Sequence, residues 1–159
     1  MSFNATTAAA DIVNDLDLSG QTYLITGATS GIGKETARVL AARGAHIVGT
    51  GRTSESAAAA LGEVKGQGGV TGIACDLSEP ASVRAAVEAV KATQRKLTAI
   101  VANAGIMALP ELNQKHGLEL QFLTNHVGHF GFVTGLLGAL DDAGRVVMVS
   151  SMAYQNAPA

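Results

Sequence analysis

Between an apolar run, Thr22-Tyr23-Leu24-Ile25, and a helical pattern beginning at Glu35 lies Thr26-Gly27-Ala28-Thr29-Ser30-Gly31-Ile32-Gly33. No other segment constrains the fold as strongly. A strand, a glycine-rich turn and a helix, in that order, let backbone N–H groups and a helix N-terminus converge on a pyrophosphate. Each glycine removes a Cβ where the chain reverses, or where a ligand or the sheet comes close. The order here is G-x-x-x-G-x-G behind a threonine, rather than the general dinucleotide fingerprint G-x-G-x-x-G. A tight turn alone would also use such glycines, so the rest of the chain has to decide. From the strand–turn–helix context, Gly27, Ser30, Gly31, Ile32 and Gly33 are predicted to form a pyrophosphate turn.

The pattern then alternates. Strands are predicted at residues 45–50, 70–74, 97–102 and 145–150. Helices are predicted at 54–64, from 78 or 79 to about 93 with Pro80 in the first turn, and at 118–140. Residues 141–144, Asp-Asp-Ala-Gly, read as a turn, and residues 103–116 as irregular. Residues 1–19 form a polar, alanine-rich lead with a short helix expected within 6–16. Continuous apolar strands separated by helices imply a parallel sheet covered on both faces. The expected fold class is α/β, a doubly wound Rossmann sheet of about five strands in the order 3-2-1-4-5. The expected domain is residues 20–159.

Bulk properties narrow the partners. The 159 residues are 47% hydrophobic and 15% charged, enough for a sizeable core and too apolar for a disordered chain. A net charge of −2 gives no electrostatic case for nucleic acid or an anionic membrane. The single cysteine, Cys75, rules out an internal disulfide framework and a cysteine-built metal site. No apolar run is long enough to span a bilayer, and the N-terminus lacks the basic and apolar regions of a signal peptide. A cytoplasmic location is expected.

Three strand ends carry chemistry. At the second, Gly51 and Arg52 stand where a dinucleotide fold reaches the adenosine ribose. An acidic residue there would accept from a 2′-hydroxyl, whereas arginine pairs with a 2′-phosphate. No carboxylate precedes Glu55, so a cofactor site here favours NADP(H) over NAD(H); an ordinary surface arginine is the alternative. Asp76, after the third strand, can accept from an adenine amino group or act as a turn residue ahead of a helix. Asn103-Ala104-Gly105, after the fourth, permits close approach of a cofactor, and the Asn103 amide can tie neighbouring strands; turn chemistry would also explain it. His126 and His129 lie three apart, with His116 nearby, but there is no H-E-x-x-H pattern or carboxylate cluster, and no metal is expected. Ser150-Ser151 lacks the G-x-S-x-G elbow of a hydrolase.

Taken in order and spacing, residues 26–33, Arg52, Asp76-Leu77, residues 103–105, Asn125-His126-Val127-Gly128-His129-Phe130 and Val149-Ser150-Ser151 resemble the short-chain dehydrogenase/reductase family. The histidine-containing segment looks most like the branch of retinol dehydrogenase-like and WW-domain oxidoreductase-like proteins. The resemblance covers roughly residues 18–153. One departure is Ala102, where the family often has a second asparagine. The resemblance implies a nicotinamide cofactor, NADP(H) before NAD(H), and a small alcohol or carbonyl substrate. Implied cofactor contacts are Gly27, Thr29, Ser30, Gly31, Ile32, Gly33, Arg52, Thr53, Asp76, Leu77, Asn103, Ala104 and Gly105. Asn125 would help organise a proton-relay water, and Ser151 would hydrogen-bond the substrate oxygen.

The family's acid–base pair, Tyr-x-x-x-Lys beyond the active serine, is not matched. Tyr154 is the only tyrosine after Ser151, Pro158 stands four residues on, and no lysine follows Lys115. The expectation is a cofactor-binding portion, truncated before its acid–base pair and inactive alone. In the 118–140 helix, Gly128, Gly131, Gly135 and Gly138 fall within an arc of about 80°. Large apolar residues cover the rest, so this helix is expected to be buried all round and to offer a self-association surface where uncovered. Three functions are carried forward: the cofactor-binding part of an NADP(H)-dependent oxidoreductase, a catalytically dead NADP(H)-binding module, and an interaction fragment requiring a C-terminal partner.

Overall fold

The computed structural model describes residues 3–152 and Gln155. Five parallel strands form the sheet: β1 (Thr22–Ile25), β2 (His46–Gly51), β3 (Val70–Ala74), β4 (Leu97–Ala102) and β7 (Leu140–Met148), in the order β3-β2-β1-β4-β7. With the intervening hairpin strands counted, this is the expected order 3-2-1-4-5. Leu24 of β1 lies opposite Val48 of β2 and Ile100 of β4. Because successive strand residues face opposite ways, Leu24, Val48 and Ile100 bury one face and Ile25 and Ile47 the other. The first face is covered by α4 (Pro80–Ala92) and α6 (His129–Leu136) through Val83, Val87, Val90, Phe132 and Leu136. The second is covered by α2 (Gly31–Ala41) and α3 (Ser54–Gly62) through Ala37, Ala41 and Leu61, with Leu18 of the lead packed beside them. Among the described residues of the lead, only Ala9–Ile12 is helical (α1), a single turn with Ile12 exposed. Among the described residues, no helix is long and apolar enough to cross a membrane.

Three departures from the sequence expectation lie around the long helix. Its predicted start is a hairpin: β5 (Gln114–Lys115) pairs antiparallel with β6 (Leu118–Glu119). His116 and Gly117 both have positive φ, +53° and +77°, as a two-residue hairpin turn requires. The helix starts after it, where the Glu119 carboxylate accepts from the Gln121 and Phe122 amides at 2.8 and 2.6 Å.

Second, the helix is not uniform. A short α5 (Leu120–Phe122) runs into a π-helical segment, Leu123–Gly128, before α6, and a 3₁₀ turn, Leu137–Ala139, ends it. In an unbroken α-helix Leu123 and Phe132 would point about 180° apart, yet both are buried. The wide π turn takes up one extra residue and so reduces that angular separation. The helix is not buried all round: Phe122, Phe130 and Leu137 are 50%, 66% and 51% exposed. Gly128, Gly131 and Gly135 pack against Leu77, Val83 and Val87, but Gly138, past the end of α6, faces open space.

Third, the predicted turn 141–144 is a bulge within β7. Leu97 pairs with Leu140 and Ala99 with Arg145, so the extra residues loop out of one continuous strand. In this chain Val146, Val147 and Met148 are exposed.

These contacts separate two glycines. A Cβ at Gly128 would overlap the Leu77 carbonyl, whereas one at Gly138 meets nothing within 4 Å. Gly128→Ala is expected to destabilise by about 1–3 kcal/mol, and Gly138→Ala to be neutral or stabilising by up to about 1 kcal/mol. Denaturant midpoints of the two variants check this.

Candidate functional site

The strand order reverses between β1 and β4, and their carboxyl ends part to leave a crevice. The glycine turn enters it from β1. Gly27 and Gly31 have φ of +67° and +54°, a backbone region in which side chains are strained. A Cβ at Gly27 would also lie 3.0 Å from Ala104, and one at Gly33 would lie 2.5 Å from the Asn103 amide nitrogen. Ser30, the N-cap of α2, makes no side-chain cap hydrogen bond. The first-turn N–H groups of α2 are thus not capped by that side chain, and they sit beside the crevice.

Thr26, buried at the tip of β1, holds the two banks together. Its hydroxyl accepts from the Asn103 and Ala104 amides, both at 2.9 Å. Its carbonyl accepts from the Asn103 side-chain amide at 2.9 Å, so Asn103 does tie neighbouring strands. The same hydroxyl meets His129 Nε2 at 2.8 Å, and His129 Nδ1 lies 3.0 Å from the Asn125 carbonyl. Burial pushes the His129 pKa below its ordinary value, opposed by the hydrogen bond to that carbonyl.

A cleft of about 480 Å³ results. Of the residues expected from sequence, it gathers Gly27, Thr29, Ser30, Ile32, Arg52, Asp76, Leu77, Asn103, Ala104 and Gly105 on its walls. Gly31 and Gly33 shape the turn without lining it. Thr53 is also off the wall: its hydroxyl accepts from the Ser56 amide at 3.2 Å and caps α3. Asn125 directs its side chain to the backbone of Ile106, accepting from the amide at 2.9 Å and donating to the carbonyl at 2.7 Å. It thereby anchors the loop beyond Gly105 to the π-helical turn. Ser151 is exposed just past β7, whose pairing with β4 continues through the Val149 amide to the Ala102 carbonyl at 3.0 Å. Ser151 does not line the cleft. Tyr154 lies outside the described residues.

The sequence reading missed Thr50, Ser56, Cys75, Ile106 and Thr124 on the cleft wall. Thr50 and Cys75, at or beside strand ends, could have been flagged by position; Ser56, Ile106 and Thr124 carry no such local signal. Thr124 Oγ1 is buried without a hydrogen-bond partner among the described residues. Cys75 is buried and its thiol is pushed up to about 12, chiefly by desolvation. Among the described residues, Arg52 is the one basic side chain on the wall and Asp76 the one acidic.

Asp76 acts as the turn residue ahead of α4. Oδ1 accepts from the Ser78 amide and hydroxyl at 2.9 and 2.7 Å, as a turn residue would, while the residue also borders the cleft. The hairpin braces this corner: Lys115 donates to Ser78 Oγ at 3.1 Å and pairs with Glu79 at 2.5 Å, and His116 meets Glu79 at 3.0 Å. These two partners hold the Glu79 carboxyl below its usual range. The three histidines therefore have separate roles, with His126 stacked on Phe122. Among the described residues, no three potential ligands cluster around a metal position.

The sequence profile of the short chain dehydrogenase family matches residues 21–159, and the chain belongs to that family. A probable oxidoreductase of Streptomyces antibioticus is 46% identical over 149 residues, covering 90% of this chain and 49% of that protein. Retinol dehydrogenase 12 of Bos taurus is 39% identical over 145 residues, 88% of this chain and 46% of the relative. The chain thus spans about half the length of these relatives. A short chain dehydrogenase from Burkholderia cenocepacia J2315, solved in complex with NADP, is 29% identical with a TM-score of 0.75. The match covers 91% of this chain and 60% of that one.

Two outcomes follow from the buried groups. Cys75 is expected to resist iodoacetamide in the native protein and react on unfolding, as mass spectrometry would show. Below the ordinary histidine value of 6.5, the unfolded chain binds a proton that folded His129 refuses. Stability should therefore be full above that value and fall as pH drops from it through the lowered folded pKa. His129→Gln should flatten this part of the pH–stability curve, measured by denaturation at pH 7.5 and 5.

Proposed function

We propose that this chain is the cofactor-binding portion of an NADP(H)-dependent oxidoreductase that interconverts an alcohol and a carbonyl. The observation that carries the reading is Arg52 on the cleft wall at the end of β2, where residues 49–54 include no carboxylate to accept from a 2′-hydroxyl. A guanidinium there suits a 2′-phosphate by a charge-assisted, forked contact. Three further features fit a dinucleotide: the α2 N-terminus without a side-chain cap, a glycine turn that brings bare backbone to the wall, and the unpartnered Thr124 hydroxyl. The NADP bound to the Burkholderia relative supports the same cofactor.

In this reading the amides of the 27–33 turn and the start of α2 hold the pyrophosphate, and Arg52 the 2′-phosphate. Asp76 accepts from the adenine, and Asn103, Ala104 and Gly105 allow the dinucleotide to lie close to the sheet. The bound cofactor supplies or accepts the hydride. Asn125 orients the proton-relay region, and Ser151 hydrogen-bonds the substrate oxygen.

The catalytically inactive, NADP(H)-binding reading is favoured for the 159-residue polypeptide by one observation: Pro158 stands four residues after Tyr154, and no lysine follows Lys115. Without a phenol and an ammonium paired for proton transfer, the polypeptide by itself should bind cofactor without turnover.

Arg52→Ala is expected to weaken NADP(H) roughly 10- to 100-fold and leave NAD(H) affinity unchanged. Calorimetric titration with both cofactors tests it, and unchanged selectivity refutes it. Purified 1–159 should show no alcohol-dependent NADP⁺ reduction; turnover comparable to an intact family member would reverse that reading.

A further inference from the structure

A buried imidazole in an apolar helix is ordinarily just a satisfied core residue. His129 is 1% exposed and sits in the helix that also buries Phe132 and Leu136, but its two nitrogens leave the core. Nδ1 lies 3.0 Å from the Asn125 carbonyl and Nε2 2.8 Å from the Thr26 hydroxyl. A carbonyl only accepts, so Nδ1 carries the proton. In the neutral ring Nε2 is then an acceptor, and the Thr26 hydroxyl donates to it. A hydroxyl has one proton and two lone pairs. Both lone pairs of Thr26 are taken by the amides of Asn103 and Ala104. Donors and acceptors balance with none left over, and only one tautomer and one hydroxyl orientation satisfy them.

We propose that His129 is a positioning residue for the cofactor cleft, locking the glycine turn, the loop after β4 and the π-helical turn into one arrangement. The proposal rests on the cofactor reading above. By fixing the Thr26 proton, the ring directs that oxygen's lone pairs at Asn103 and Ala104, the residues against which Gly27 and Gly33 close. By holding the Asn125 carbonyl, it fixes the turn whose side-chain amide grips Ile106. Thr26 is fully buried, so removing the ring leaves its hydroxyl proton without an acceptor and releases the Asn125 carbonyl from the imidazole. Glutamine offers an NH₂ that donates and a carbonyl oxygen that accepts, and can serve both partners. Leucine can serve neither.

The test uses the full-length protein that carries this chain. Long-range ¹H–¹⁵N NMR should show His129 neutral with its proton on Nδ1, and hydrogen exchange should find the Asn103 and Ala104 amides protected. Both readouts need neither variant nor cofactor. In NADPH fluorescence titration, His129→Leu should weaken binding about tenfold or more, and His129→Gln should restore it to within about threefold. Phe132→Leu, a core change of the same helix that touches neither Thr26 nor Asn125 through hydrogen bonds, should leave binding within about threefold despite its cost in stability. A proton on Nε2, exposed Asn103 and Ala104 amides, wild-type binding by His129→Leu, or an equal loss in Phe132→Leu would each overturn the proposal. If the wild type bound neither NADPH nor NADH, the cofactor reading would fall, while the tautomer and exchange results would still decide whether His129 locks these segments. If His129→Leu did not fold, those same two results and the binding of His129→Gln would decide it.

Discussion

Where β1 and β4 part, the amides of Asn103 and Ala104 run past the end of the ladder, and the buried hydroxyl of Thr26 answers both. Everything near the crevice depends on that substitution of a side chain for a missing strand. A parallel sheet covered on both faces leaves little water to hydrate stray backbone groups, so each must find a protein partner or cost about 1–3 kcal/mol. Thr26 meets that demand at the place where the chain must also open for a ligand. The arrangement keeps the two banks close enough that glycine is needed at 27 and 33, and rigid enough that the turn has one shape.

The same economy appears at the opposite corner. Asp76 is shared between a turn and the cleft, and Ser78 is shared between Asp76 and Lys115. The hairpin is anchored to Glu79, the residue that begins α4. Exposed ion pairs of this kind contribute little to stability by themselves. Their effect is to limit where the loop between β4 and the long helix can go.

Sheet order and the cleft-lining strand ends were legible because they rest on short-range signals: apolar runs of strand length, glycine where φ is positive, and polar residues directly after a strand. Val70–Ala74 and Leu97–Ala102 fall where the sequence places them. What was not legible depends on tertiary partners or on phase. The His116-Gly117 turn is a local signal that the apolar pattern around it masked. The bulge in β7 keeps a turn-like sequence inside a strand because Leu97 and Ala99 pair on either side of it. Thr53 looked like a cofactor contact but is committed to α3 by Ser56. His129 looked like part of a histidine cluster; its partner, Thr26, is 103 residues away in sequence and was invisible to any local pattern.

The π-helical turn acts as a gear with one tooth too many. Deleting a residue from within 123–128 would let the segment close into ordinary α-helix and rotate everything after it by about 100°. Phe132 and Leu136 would swing out of the core, and the ring at 129 would leave Thr26. A compensating insertion further along would return the core residues to register but not the imidazole. This stretch of chain is therefore intolerant of length change in a way that its sequence does not advertise. Gain or loss of a single residue here would shift the register of every side chain that follows it in the helix.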